Sequence, residues 1–281
     1  MKTICVNGKM INIKGPNESF GNHVLHLFAC WTISKKLNID LSINSSSNLD
    51  DVFDFDKKDI STNINLYTEK YGGDMKEHCD KEIENNDFFE KLLSGLIDLP
   101  ESFYIEGWFW NSIFLPTEEF FSDFKIKSEL LREIELNHNF IRDDNTLVIH
   151  YRGSDFSNHS IGWGDLRLKE DYYEKCLEDF SENKKNFRIV IVSDEAPNFL
   201  INISNKYSNV VTIEKNNYKI DWLILLLSKN IICSNSSFCY TAGWYEKNII
   251  YQPNQFFTRY KSTDLHYPVF CYYKKNNCKV L

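Results

Sequence analysis

Between Val148 and Tyr251 the chain alternates short apolar runs with stretches whose apolar residues recur at helical spacing. The runs "TLVIHY", "FRIVIVS", "VVTIE", "IICSN" and "NIIYQ" predict five strands. In "KEDYYEKCLEDF" the residues Tyr172, Tyr173, Cys176, Leu177 and Phe180 keep to one helical face, which predicts a helix there. Helices are also predicted over "APNFLINISNKY", "KIDWLILLLSKN" and "SFCYTAGWYEK". Uninterrupted apolar strands alternating with helices imply a parallel, doubly wound sheet covered on both faces. Sheets of this kind bind ligands beyond the carboxyl ends of their strands.

The earlier half is less regular. "MINIKG" reads as an opening strand, "GNHVLHLFACWTISKKLN" as a long helix with an apolar stripe at Val24, Leu27, Phe28, Trp31 and Ile33, and "IDLSI" as the next strand. Together these predict a β-α-β unit. Residues 44–80 are rich in Asn, Asp and Ser and read as a long polar excursion. A helix over "DFFEKLLSGLIDLP", an aromatic strand in "SFYIEGWFWNSIFLP" and a kinked helical connection through "TEEFFSDFKIKSELLREIELNHNFI" complete this half. The turn "RDDN" marks a boundary, dividing the chain into residues 1–143 and 144–281.

Composition narrows the classes. A net charge of -8 over 281 residues argues against a nucleic-acid-binding protein, which carries a basic face. No apolar run approaches the roughly 20 residues of a membrane span, and the start of the chain lacks the pattern of a signal peptide. The eight cysteines form no C-x2-C pair, so free thiols in a reducing cytoplasm are expected and no metal site is.

Candidate chemistry gathers at strand ends. His150 and Arg152 close the first strand of the regular half, followed by Gly153, Ser154 and Asp155. Arginine offers a two-pronged fork to phosphate oxygens, glycine lets a ligand approach the backbone, and Asp155 can pin the arginine. A surface loop with an ion pair has the same spelling. Asp194 and Glu195 end the second strand, where a carboxylate can accept N–H groups of a base or cap the next helix. Ser234, Asn235, Ser236 and Ser237 stand at the start of a helix, a place that favours anions and equally suits plain capping. In the first half, Asn22 and His23 enter the long helix, as caps or as ligand contacts.

Taken in order, these pieces resemble glycosyltransferase family 11, the α-1,2-fucosyltransferases. Its G-x-L-G-N-Q helix start is similar to Gly15 through Asn22-His23, and its G-Y/F-x-Q-S segment to Gly107 through Ser112. The H-x-R-R-x-D signature corresponds to His150 through Asp155. The S-D-D segment corresponds to Ser193-Asp194-Glu195, and S-N-S-S-F-S-W-W-G-A-W to Ser234 through Trp244. The resemblance implies a GT-B fold, with two Rossmann-like domains facing a cleft. Residues 1–143 would form the acceptor side and residues 144–281 the donor side. It further implies an inverting, metal-independent transfer of fucose from the donor substrate GDP-fucose to a glycan hydroxyl. Arg152 would stabilise the leaving group with His150, while Asn22, Asp155, Asp194, Glu195 and Ser234 to Ser237 would hold the nucleotide sugar. This chain departs from the pattern twice. Gly153 replaces the second arginine, and His23 replaces the glutamine, where it can act as a general base or hydrogen-bond as glutamine would. Another nucleotide-sugar donor, or a binding module without catalysis, would fit the same motifs.

Overall fold

The computed structural model describes residues 3–6, 20–43, 48–54, 65–68, 91, 94–96, 102–106, 116–153, 156, 167–253 and 278–281. The chain forms two compact units, Met1–Lys127 and Ser128–Leu281. The division lies ahead of the turn read from the sequence, and the helix that follows it belongs to the second unit.

The first unit opens with β1 (Thr3–Val6), α1 (Phe20–Leu37) and β2 (Asp40–Ile43), with β1 and β2 parallel. This is the expected β-α-β unit, except that its first strand lies upstream of "MINIKG", and residues 10–15 fall outside the described ones. Helix α1 is buried at nearly every position from Phe20 to Ser34, so it is an enclosed helix and not one with a single apolar stripe. The short β3 (Phe53–Asp54) precedes β4 (Asn65–Thr68) and β5 (Ser102–Glu106). Strand β4 pairs with β5 inside the stretch expected to be a polar excursion, which makes a parallel four-stranded sheet in the order β2-β1-β5-β4. Its short apolar content, Leu66 and Tyr67, was masked by the Asn-rich surroundings. Helix α2 (Phe120–Asp123) leads to β6 (Lys125–Ile126), which pairs antiparallel with β3. The expected helical kink is therefore a strand bridge. Around it Phe28, Trp31, Phe53, Phe120 and Phe124 pack edge to face, and Trp31 donates to Asp123 at 2.8 Å.

The second unit begins with α3 (Ser128–Asn137) and then follows the expected alternation: β7 (Thr146–Tyr151), α4 (Glu170–Asn183), β8 (Arg188–Ser193), α5 (Asn198–Tyr207), β9 (Val211–Glu214), α6 (Tyr218–Leu227), β10 (Asn230–Ile232), α7 (Ser237–Gly243) and β11 (Ile249–Gln252). The closing β12 (Cys278–Val280) is an addition to the expected strands. All six strands run parallel in the order β12-β11-β10-β7-β8-β9. Strand order reverses between β7 and β10, and this switch point is where a doubly wound sheet opens a crevice at its carboxyl edge.

Side-chain alternation distributes the core. Leu147, Ile149 and Tyr151 of β7 face Tyr173, Cys176 and Phe180 of α4 and Leu200 and Ile203 of α5. Helices α6 and α7 are tied to each other by Trp222, which donates to Thr241 at 3.0 Å. Ser204 of α5 is fully buried, and its hydroxyl has no hydrogen-bond partner among the described residues. Ser204→Ala removes that unsatisfied group and improves helix propensity. It is expected to stabilise the protein by about 1 kcal/mol, a rise of a few degrees in Tm by calorimetry.

Candidate functional site

Three strand ends converge at the switch point. Strand β7 lies between β10 and β8, with Ile232 beside Ile149 and Ser193 beside Tyr151. The residues next along each strand are therefore neighbours, and side chains on all three meet across the gap. Asp194 bridges two groups just beyond β7. One carboxylate oxygen accepts from the Gly153 amide at 2.9 Å, and the other lies 3.7 Å from Arg152 Nε. About a quarter of each side chain of this ion pair remains accessible, so the arginine is oriented and still open to an anion. The guanidinium also lies over Phe156, 6.0 Å from the ring centre.

His150 is held from the other side. Its Nδ1 is 2.7 Å from Ser234 Oγ, and its ring stacks on Phe238 of α7 at 5.6 Å. Burial, with the Arg152 charge beside it, pushes the imidazole down to about 4, so it is neutral at physiological pH. It can donate or accept a hydrogen bond to a ligand, but the cation of the site is Arg152. Ser236 is the N-cap of α7, accepting from the Phe238 amide at 3.3 Å, and the Ser236 amide donates to Ser234 O. Asn235 is buried within this turn, and Ser237 is the first residue of the helix. Glu195 is exposed beside Asp194, with its amide donating to Ser193 Oγ at 3.0 Å.

Gly153 is tightly enclosed. A Cβ there would lie 3.1 Å from Glu195 Cβ, 3.1 Å from Tyr151 and 3.2 Å from the Glu195 carbonyl. Any larger residue requires the 194–195 segment to give way by a few tenths of an ångström, so the single arginine is built into the packing. Asp155 lies outside the described residues.

Asn22 and His23 belong to the first unit, at the start of α1. The Nδ1–H of His23 donates to Asn48, which leaves the lone pair at Nε2, and burial lowers its pKa. The segment Gly107–Ser112 lies outside the described residues.

Asp221, in the first turn of α6, was not singled out from the sequence because it sits inside the apolar run "DWLILLL". Burial pushes its carboxyl up to about 6, although Asn216 donates to it through both its amide and its side chain, and it lies within electrostatic reach of His150. A carboxylate so perturbed, within electrostatic reach of a strand-end histidine, marks a functional candidate. Because the folded protein favours its neutral form, the stability it contributes is present in acid and lost as pH rises through about 6. Asp221→Asn is thus expected to raise Tm relative to the native protein. The gain should grow between pH 4 and pH 6 and stay constant above, as read by thermal melts across that range.

Among the described residues no cluster of three or more His, Cys, Asp or Glu side chains could hold a metal ion, and no helix is long and apolar enough to cross a membrane.

Neither a protein-family model nor a curated protein sequence matches the chain. Solved structures do. NodZ α-1,6-fucosyltransferase co-crystallized with GDP matches with a TM-score of 0.58 at 12% identity, over 89% of this chain and 93% of that one. The chain has the GT-B fold. Selenomethionine fucosyltransferase NodZ from Bradyrhizobium matches with a TM-score of 0.57 at 13% identity, again over 89% and 93%. The NodZ structure soaked with GDP-fucose gives 0.54 at 11%, over 89% and 94%. In this chain the GT-B second unit is the six-stranded sheet, and its switch point carries Arg152, Asp194, His150 and Ser234.

Proposed function

We propose that the chain is a glycosyltransferase that moves fucose from GDP-fucose to a hydroxyl of a glycan, with inversion and without a metal ion. The observation that carries this reading is the Arg152–Asp194–Gly153 bridge at the switch point of the sheet. Breaking the bond between sugar and diphosphate builds negative charge on the leaving group, and an oriented guanidinium meets that charge without reorganising. The amides at the start of α7 and the neutral His150 add hydrogen bonds. The NodZ structures co-crystallized with GDP and soaked with GDP-fucose, which share this fold, support the choice of donor.

Asp194 is committed to Gly153 and Arg152, so its role is to place the arginine, and Asp221 beside His150 is the better candidate to accept N–H groups of guanine. His23 is the candidate general base, neutral at pH 7 and with its lone pair at Nε2. Residues of the first unit would bind the acceptor. The linkage we propose is α-1,2, on the sequence motifs; NodZ is an α-1,6-fucosyltransferase, so the linkage of the product distinguishes the two. A cytoplasmic location is consistent with the free thiols at Cys30, Cys176, Cys233, Cys239 and Cys278.

A thermal-shift panel with GDP, UDP and their sugars tests the donor, since a ligand at 100 times its Kd adds about 2.7 kcal/mol of stability. GDP and GDP-fucose should raise Tm and the uridine series should not. Transfer to a labelled glycan should persist in EDTA. Indifference to guanine nucleotides would remove the reading, and a shift without transfer would favour a binding module.

A further inference from the structure

Helix α4 reaches across one face of the sheet with two adjacent tyrosines, and both hydroxyls end at the switch point. Tyr172 donates to the Cys233 carbonyl at 2.8 Å, and Tyr173 donates to the His150 carbonyl at 3.4 Å. Both carbonyls lie one residue past Ile232 and Ile149, where the ladder between β10 and β7 closes, and just ahead of Ser234 and Arg152, while β7 stays paired with β8 through Tyr151. The Ser234–His150 hydrogen bond lies between the two braced points. Both phenols are buried, and burial raises their pKa values well above the ordinary tyrosine range, so each is a permanent O–H donor. Their rings are fixed by contact with each other at 5.1 Å, and Tyr173 by Tyr151 and Phe199 at 5.8 and 6.4 Å.

We propose that Tyr172 is a positioning residue for the nucleotide site, with Tyr173 as its weaker companion, the two hydroxyls holding β10 and β7 at the point where they part. The proposal rests on the nucleotide-binding reading above. A helix packed only for its apolar face would be served as well by phenylalanine at both positions. The hydroxyls instead bond two backbone carbonyls just past the end of the ladder between β10 and β7.

The test uses Tyr172→Phe and Tyr173→Phe, which keep the rings and remove only the donors. Ser208→Ala serves as comparison. Its hydroxyl donates to the Phe187 carbonyl at 2.5 Å, a buried bond ahead of β8 at the opposite edge of the sheet. All three should lower Tm. Tyr172→Phe is expected to weaken GDP binding about fivefold to tenfold by calorimetric titration, the equivalent of one hydrogen bond. It should also shift the 15N resonances of the His150 ring in nucleotide-free protein, with Tyr173→Phe giving a smaller change in both and Ser208→Ala none. A Tyr172→Phe protein that loses Tm while keeping its GDP affinity and its His150 resonances overturns the proposal. If the native protein binds no GDP, the donor reading fails and the His150 resonances alone decide the positioning role.

Discussion

Arg152→Ala is expected to lower sugar transfer by about 10²–10³-fold, the usual loss when one preorganised electrostatic donor is removed, while the fold persists. The side chain is not part of the apolar core, so circular dichroism should keep its native form and Tm should fall only modestly. The loss should fall mainly on turnover, because in the proposed mechanism the charge that Arg152 meets develops as the bond to the sugar breaks. Arg152→Lys sharpens the test. Lysine keeps the charge but has neither the planar fork nor the Nε that faces Asp194 at 3.7 Å. Its activity should lie between those of the native protein and the alanine variant. Steady-state kinetics on a labelled acceptor decide, and an Arg152→Ala protein with native turnover would remove the proposed leaving-group role.

Asp194→Ala has two opposed effects, and their magnitudes settle the outcome. Freeing Arg152 from a partly exposed ion pair at 3.7 Å would favour an incoming anion by no more than about 1 kcal/mol. Losing the acceptor for the Gly153 amide at 2.9 Å costs about 1–3 kcal/mol and unties β7 from β8 at the place where the arginine is set. The second effect prevails, so transfer should drop about 10–100-fold. Asp194→Asn keeps an oxygen for the amide and drops the charge, and should recover the Tm and most of the activity. Were the asparagine variant as impaired as alanine, the ion pair and not the amide would be the controlling contact. Melts and kinetics on both variants distinguish these cases.

The second unit was largely legible in the sequence because buried parallel strands are continuous apolar runs, and "TLVIHY" and "FRIVIVS" admit no other reading. Strand β12 was not, since "CKV" carries no apolar pattern of its own and pairs only because Gln252 and its neighbours offer an edge. The first unit was harder for the same reason: β3 and β6 are two residues each, and β4 is four. At the site, Arg152, Asp194 and Ser234 could be named because each lies within two residues of the end of a strand. Asp221 could not, because a lone acid inside a hydrophobic helix has no local signal and becomes notable only when the fold sets it near His150. Tyr172 and Tyr173 were legible only as core positions. Their hydroxyl partners lie 61 and 23 residues away along the chain.

The final strand has a practical meaning for protein engineering. Lys279 of β12 and Tyr251 of β11 both hold Asp179 of α4, the tyrosine at 2.5 Å. Shortening the chain before β12 would remove an anchor from the helix whose other end reaches the switch point of the sheet. Fusion partners and surface tethers are therefore better attached at the opposite terminus, where the sugar-transfer assay will report on the enzyme and not on a loosened helix.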